Sequence, residues 1–153
     1  MNNADYLRLA QTQADAFSTC DKVRVGSVIV TDREFKIFGY NHGVCNCSSN
    51  GCRRVKLYGE NSKLHRLPSD CDAIHSEINA ISKAAGAGIS TYGATIYVTR
   101  YPCEACARAI SAAGISKVVY GRKEEISEYT KKIFDTYGVE VIHEDWEEED
   151  NNA

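Results

Sequence analysis

A chain of 153 residues is long enough for one domain with a substantial core and too short for two ordinary ones. Apolar residues make up 43% and charged residues 25%, a globular balance that excludes a disordered or fibrous chain, and no apolar run is long enough to cross a bilayer. The net charge of −3 is uneven, because residues 144 to 153, "EDWEEEDNNA", hold six acids and no base and leave only +3 on the residues before them.

Residues 4 to 17 place Leu7, Ala10, Ala14 and Phe17 at steps of three and four, one apolar face of an amphipathic helix. "VGSVIVT" (25 to 31) and "FKIFGYN" (35 to 41), rich in β-branched and aromatic residues, flank the polar "DRE" and read as a hairpin. From 42 to 72 there is no period, and four of the seven cysteines fall there; a loop of that length needs something to organise it, and a metal would do so. "AIHSEINAISKAAGAG" then reads as a helix from 73, "GATIYVT" (93 to 99) as a buried strand, and "CEACARAISAAG" (103 to 114) as a helix with Pro102 just before it. A strand at 116 to 121, a helix at 124 to 138 and a strand at 139 to 143 complete the chain. The α-β-α-β-α-β order from residue 75 predicts three mostly parallel strands with helices on both faces. The domain is expected to span 1 to 143, with 144 to 153 as an acidic, disordered tail.

The N-terminus has no basic region followed by an apolar run, so an intracellular, cytoplasmic setting is expected, the host cytoplasm if the gene is a phage's. Disulfides rarely persist in a reducing compartment, so seven cysteines there point to metal ligation. Zinc takes Cys and His ligands tetrahedrally, and a catalytic site keeps three protein ligands with one position for water. His75, Cys103 and Cys106 supply three; the C-x-x-C opens a predicted helix, where unpaired N–H groups and the helix dipole favour thiolates. Glu77 is the unclaimed carboxylate beside them, placed to move protons between a water of pKa roughly 7 and a substrate. A purely structural zinc would need a fourth cysteine and leave Glu77 idle. The whole pattern, H-x-E followed by P-C-x-x-C, is the signature of zinc-dependent base deaminases.

"STCDKVRVGSVIV", "GYN", "IHSEINAI", "GATIYVTRYPCEACARAI" and "GISKVVYG" together resemble the deoxycytidylate (dCMP) deaminases of bacteria and phages, within the cytidine deaminase superfamily, over about residues 5 to 143. The resemblance implies a three-layer α/β/α fold with a five-stranded mixed sheet, and hydrolysis of dCMP to dUMP and ammonia for thymidylate synthesis. It implies that His75, Cys103 and Cys106 bind the catalytic zinc, and that Glu77 protonates ring nitrogen 3 and the departing amine while water adds to carbon 4. Asn41 matches the asparagine that binds the sugar 3'-hydroxyl. The backbone around Ser76 is a candidate partner for the base carbonyl, and Tyr101 a candidate wall for the base. Arg24 is the candidate for the phosphate, with Arg100 and Arg122 as rivals.

Several members of this group hold a second, structural zinc, and the resemblance extends to its ligand regions. Cys20, Cys47 and Cys71 match its ligand regions best, Cys52 and His65 compete for the fourth place, and Cys45 is spare. A hexamer and the effectors dCTP and dTTP also belong to the resemblance. One departure bears on regulation: the group usually reads "GYNG" where this chain has Gly39-Tyr40-Asn41-His42, and His42 removes backbone freedom. Two other functions fit the motif. A polynucleotide deaminase acting on tRNA or single-stranded DNA would need basic stripes and exposed aromatics, against which the acidic tail and a pI near 5.8 count. A catalytically silent nucleotide-sensing zinc module would have no need of Glu77.

Overall fold

The computed structural model describes residues 1–43, 46–47, 51–59, 71–122 and 126–146. Helix α1 (Asn3–Phe17) begins in a capping box: the Asn2 side chain accepts from the Asp5 N–H, and Asp5 accepts from the Asn2 N–H. Leu7, Ala10 and Ala14 are fully buried, whereas Phe17, on the same stripe, is 54% exposed. Phe17 closes the helix beyond the sheet and meets the Tyr40 ring at 5.4 Å instead.

Strands β1 (Gly26–Val30) and β2 (Lys36–Tyr40) form the expected antiparallel hairpin, with Gly26 opposite Tyr40. The stretch from 42 to 72, expected to lack regular structure, contains the short strand β3 (His42–Gly43) and the helix α2 (Arg53–Tyr58). β3 pairs with β4 (Ala73–Ile74), so the next helix, α3 (Ser76–Gly86), starts three residues later than its periodicity predicts. Residue 42 therefore lies in an extended strand, and His42 is not in a conformation that favours glycine. Then come β5 (Thr95–Arg100), α4 (Glu104–Ala112), β6 (Lys117–Arg122), α5 (Glu128–Tyr137) and β7 (Glu140–His143). α5 ends at Gly138, whose φ of 68° is the left-handed cap that glycine adopts without strain.

The main sheet has the order β2-β1-β5-β6-β7, antiparallel at β2-β1 and β1-β5 and parallel at β5-β6 and β6-β7. Alternation along its strands decides the two faces. Ile96, Val98, Val118 and Tyr120 join Ala80 and Ala84 of α3, Ala107 and Ile110 of α4, and Ile133 and Phe134 of α5 in one cluster. Tyr97, Val119 and Ile142 point the other way, toward Leu7 of α1 and Trp146. The result is three layers, with α1 on one face and α3, α4 and α5 on the other. Each fully buried Ile, Leu or Phe in these clusters contributes roughly 1.5–3 kcal/mol.

Trp146 moves the packed boundary past 143. It is 7% exposed within the α1-side cluster, and the Glu144 N–H donates to the Tyr120 carbonyl, continuing the line of β7. Gly121 makes room for it, since a Cβ there would collide with the indole. Residues 147–153 of the acidic tail lie outside the described residues. Among the described residues no helix is long and apolar enough to cross a membrane.

Candidate active site

Two helix starts and the end of a strand converge on the site. His75 is the N-cap residue of α3 and Cys103 the N-cap residue of α4; neither side chain caps its own helix, so both are left for other work. Cys106 lies one turn into α4, fully buried, and Glu77, 4% exposed, lies in the first turn of α3. The α3 start is held close to the sheet: the Ser27 hydroxyl of β1 donates to the Ser76 carbonyl at 2.9 Å, and a Cβ on Gly39 of β2 would collide with that same carbonyl oxygen. A glycine in "GYN" is thus what lets the His75–Glu77 turn press against the sheet.

Cys103 Sγ and Cys106 Sγ lie 3.5 Å and 3.4 Å from His75 Nδ1, and the three atoms all fall within 4.8 Å of one another. A tetrahedral zinc with Zn–S near 2.3 Å and Zn–N near 2.0 Å requires S···N edges of about 3.5 Å, so the donor set fits that ion. The Cys103 thiol is pulled down to about 4, chiefly by the hydrogen bond from Cys106, with His75 adding to it, while Cys106 is pushed up by the same pairing and by burial. His75 is raised chiefly by its hydrogen bond to Cys103. The three side chains already lie in contact with one another, and a bound cation would take the place of these S···N contacts.

Burial raises the Glu77 carboxyl above its ordinary range. The Ser76 hydroxyl donates to Glu77 Oε2 at 3.2 Å, and Cys106 Sγ is 3.5 Å from that oxygen. Arg54 of α2, which the motifs did not single out, is near enough for its charge to oppose protonation of His75, and its buried Nε has no partner among the described residues.

The other predicted residues divide. Asn41 is 9% exposed, and its amide is engaged by Ser18, Val23 and Val25. Tyr101 is half-buried with its ring edge-on to Tyr120 at 4.8 Å. Arg24, Arg100 and Arg122, rivals in the sequence, share one cleft of about 250 Å³ with Lys22, Gln11 and Thr99. Parallel pairing sets Arg100 of β5 opposite Arg122 of β6. None of the zinc-type ligands lines this cleft, although Arg100 is only three residues from Cys103.

Cys20, Cys47, Cys52 and Cys71 are half-buried and form no disulfide. Burial and the charges of Cys20, Cys52 and Cys71 push the Cys47 thiol up to about 11, which places the four as electrostatic neighbours. Backbone N–H groups of Val23 and Ala73 point at Cys20 Sγ and Cys71 Sγ, at 3.5 Å and 3.4 Å. Among the described residues, however, only the His75 cluster brings three ligand atoms within 4.8 Å. Cys45 and His65 lie outside the described residues.

The profile of the cytidine and deoxycytidylate deaminase zinc-binding region matches residues 1–122. The "Deoxycytidylate deaminase" of Mycobacterium phage D29 is 35% identical over 122 residues, covering 78% of this chain and 94% of that protein. The "ComE operon protein 2" of Bacillus subtilis is 34% identical over 127 residues, 81% of this chain, and the chain spans 61% of that relative's length. In three dimensions, the dCMP deaminase of cyanophage S-TIM5, solved in complex with dCMP and dUMP, superposes with a TM-score of 0.67 at 24% identity, over 92% of this chain and 94% of that one. That likeness establishes the expected deaminase fold, and the profile match spans both halves of the ligand cluster, His75 and the Cys103–Cys106 pair. By sequence and by fold, this chain belongs to the cytidine and deoxycytidylate deaminase zinc-binding family.

Proposed function

We propose that this protein is a zinc-dependent enzyme that hydrolyses dCMP to dUMP and ammonia, supplying dUMP for thymidylate synthesis. The observation that carries the reading is Glu77, a buried carboxyl whose hold on a proton burial strengthens, set against a His/Cys/Cys group with the spacing of a three-ligand zinc site. His75, Cys103 and Cys106 would hold a zinc ion, which supplies a water whose pKa falls to about 7. Glu77 would accept a proton from the attacking water as its oxygen bonds to carbon 4 of cytosine, and would hand that proton to ring nitrogen 3. It then carries the remaining hydroxyl proton to the exocyclic nitrogen, the carbon–nitrogen bond breaks, and ammonia leaves. The Ser76 hydroxyl, donating to Oε2, holds the carboxyl in the orientation both transfers need.

The choice of a nucleotide is supported by the cleft that gathers Lys22, Arg24, Arg100 and Arg122, since guanidinium groups match phosphate geometry. It is supported equally by the relatives that carry the name deoxycytidylate deaminase. Tyr101, half-buried beside Pro102 and two residues before Cys103, would wall the base.

A second zinc held by Cys20, Cys47, Cys52 and Cys71 is part of this proposal, supported by their mutual charge coupling and by the N–H groups aimed at two of the sulfurs. So are a cytoplasmic setting and a homo-oligomer, a hexamer by resemblance. Control by dCTP and dTTP belongs to the same reading, since the extended strand at His42 makes no demand for the usual glycine.

The test is ammonia release by the zinc-loaded protein with dCMP, deoxycytidine, CMP and a cytosine-bearing single strand, each with and without dCTP. Turnover confined to dCMP is the expected outcome. Turnover only on the strand would move the reading to nucleic-acid editing, and zinc binding with no turnover would leave a sensing module.

A further inference from the structure

We infer that Trp146 is a positioning residue for the cationic cleft: its indole face holds the Arg122 guanidinium toward the cleft that Arg122 shares with Lys22, Arg24 and Arg100, and so raises affinity for a substrate that carries a phosphate. The inference rests on the deaminase reading above. It also goes beyond it, because residue 146 lies past the end of the matched profile, at residue 122.

Strand alternation alone would send Arg122 to the wrong side. Val118 and Tyr120 face α3, α4 and α5, whereas Val119 faces α1, so the side chain at 122 belongs by period to the face away from α1. Gly121 belongs to the α1 face, and the indole lies directly on it, since a Cβ there would collide with the ring nitrogen. Yet the guanidinium carbon of Arg122 is 5.9 Å from the Trp146 ring centre, within reach of a cation–π attraction. Arg122 is the last residue of β6, where a long side chain can bend round the end of the strand. Bent that way, it reaches the side on which Gln11 of α1 and Thr99 line the cleft.

Charge explains why the side chain needs holding. Arg100 stands opposite Arg122 in parallel register, and Lys22 and Arg24 line the same cleft, so four cationic groups repel one another there. Arg122 is also exposed, and a long exposed side chain loses rotamer freedom when it closes on an anion. An aromatic face counters both effects, because it attracts the cation and restricts its rotamers before the phosphate binds. Trp146 is itself fixed. It is 7% exposed against Leu7 and Val119, and the Glu144 N–H, two residues earlier, donates to the Tyr120 carbonyl. Its buried indole N–H has no hydrogen-bond partner among the described residues, so the ring acts there through its face and its bulk.

The test compares zinc-loaded wild type, Trp146→Leu, Trp146→Phe, Arg122→Met and the Trp146→Leu/Arg122→Met double variant, with dCMP and deoxycytidine as substrates and calorimetric titration with inorganic phosphate. Trp146→Leu keeps an apolar side chain over Leu7 and Val119 but has no ring face. KM for dCMP should therefore rise about three- to tenfold, the span of one cation–π contact, with phosphate affinity falling alike and with kcat and deoxycytidine turnover near wild type. Trp146→Phe keeps a ring and guards against misfolding, so it should lose about half as much on a logarithmic scale. In the Arg122→Met background the leucine substitution should add nothing, because the group it acts through is gone. Equal increases in KM for dCMP and deoxycytidine, or a full further loss in the double variant, would leave Trp146 a packing residue and overturn the inference. If the wild type turns over neither substrate, the deaminase reading fails and the same cycle read by phosphate affinity decides, with additive losses or no phosphate binding at all overturning the positioning role. One check needs no substitution, since Trp146 is the chain's single tryptophan. Its emission in the wild type should titrate with phosphate at the calorimetric midpoint, and emission unmoved at saturation overturns the contact.

Discussion

Glu77→Gln separates chemistry from metal binding and from stability in one substitution. Glutamine has nearly the same shape, so it fills the same buried position and can still receive the Ser76 hydroxyl on its carbonyl oxygen. It cannot carry a proton. General acid–base catalysis contributes roughly 10²–10⁴-fold, and Glu77 serves both proton transfers, so kcat for dCMP should fall by about 10³-fold or more, near 4 kcal/mol of barrier at 1.36 kcal/mol per decade. Zinc content should stay at the wild-type value, because His75, Cys103 and Cys106 supply the ligands. In the metal-free protein the same change should stabilise the fold at neutral pH. Glu77's folded pKa lies above its unfolded one, so the folded state holds a proton the unfolded state has released, and wild-type stability falls as pH rises from about 4.5 toward the folded pKa. Glutamine has no such loss, so its unfolding temperature should pull ahead of wild type across that window. The assays are ammonia release, zinc analysis, and thermal unfolding of chelator-treated protein between pH 4 and pH 8. Turnover within tenfold of wild type would refute the proton-carrying role, and lost zinc would make Glu77 a ligand instead.

Further consequences reach the rest of the molecule. In metal-free protein, iodoacetamide should modify Cys103 already at pH 6, because its thiol is pulled down to about 4, while Cys47, pushed up to about 11, should resist until strongly alkaline pH; zinc should protect Cys103, and mass spectrometry of the labelled sites would show equal labelling if these environments are misassigned. Gly39→Ala should cost about 1–3 kcal/mol and lower kcat as well, since its Cβ meets the Ser76 carbonyl and must displace the His75–Glu77 turn; an unchanged denaturation midpoint would refute the close approach. Trp146→Ala should destabilise by about 3–5 kcal/mol by emptying the space over Leu7 and Val119, measured by urea unfolding, whereas a change under 0.5 kcal/mol would return residue 146 to a solvated tail.

Much of this was legible in the chain itself, because it is local. The three-residue spacing of Cys103 and Cys106, the His75–Glu77 pair and the helices that follow them are short-range patterns whose chemistry does not depend on what lies opposite. The alternating order of helices and strands similarly foretold a sheet covered on both faces, and β5-α4-β6-α5-β7 foretold its parallel half. Two features escaped. Trp146 sat in an acidic run whose composition spoke for solvent, and only the groove between α1 and β6 showed that one indole was taken out of it. Helix α3 was expected from residue 73, but pairing with His42 and Gly43 holds 73 and 74 as strand, a competition between segments thirty residues apart that no periodicity reveals.

Composition and spacing by themselves determined which atoms could hold zinc and move protons, since ligand chemistry belongs to residue types. The tertiary structure alone decided which cations share a cleft and which groups the Asn41 amide meets. Arg24, Arg100 and Arg122 looked interchangeable until strand register and the α1–β1 connection put them on one cleft, and nothing in "GYN" foretold that the Asn41 amide meets Val23 and Val25 of that connection. The reason is physical: a side chain's role is set by the direction it points and by the partners that reach it first, and both are fixed by contacts between residues far apart in the chain.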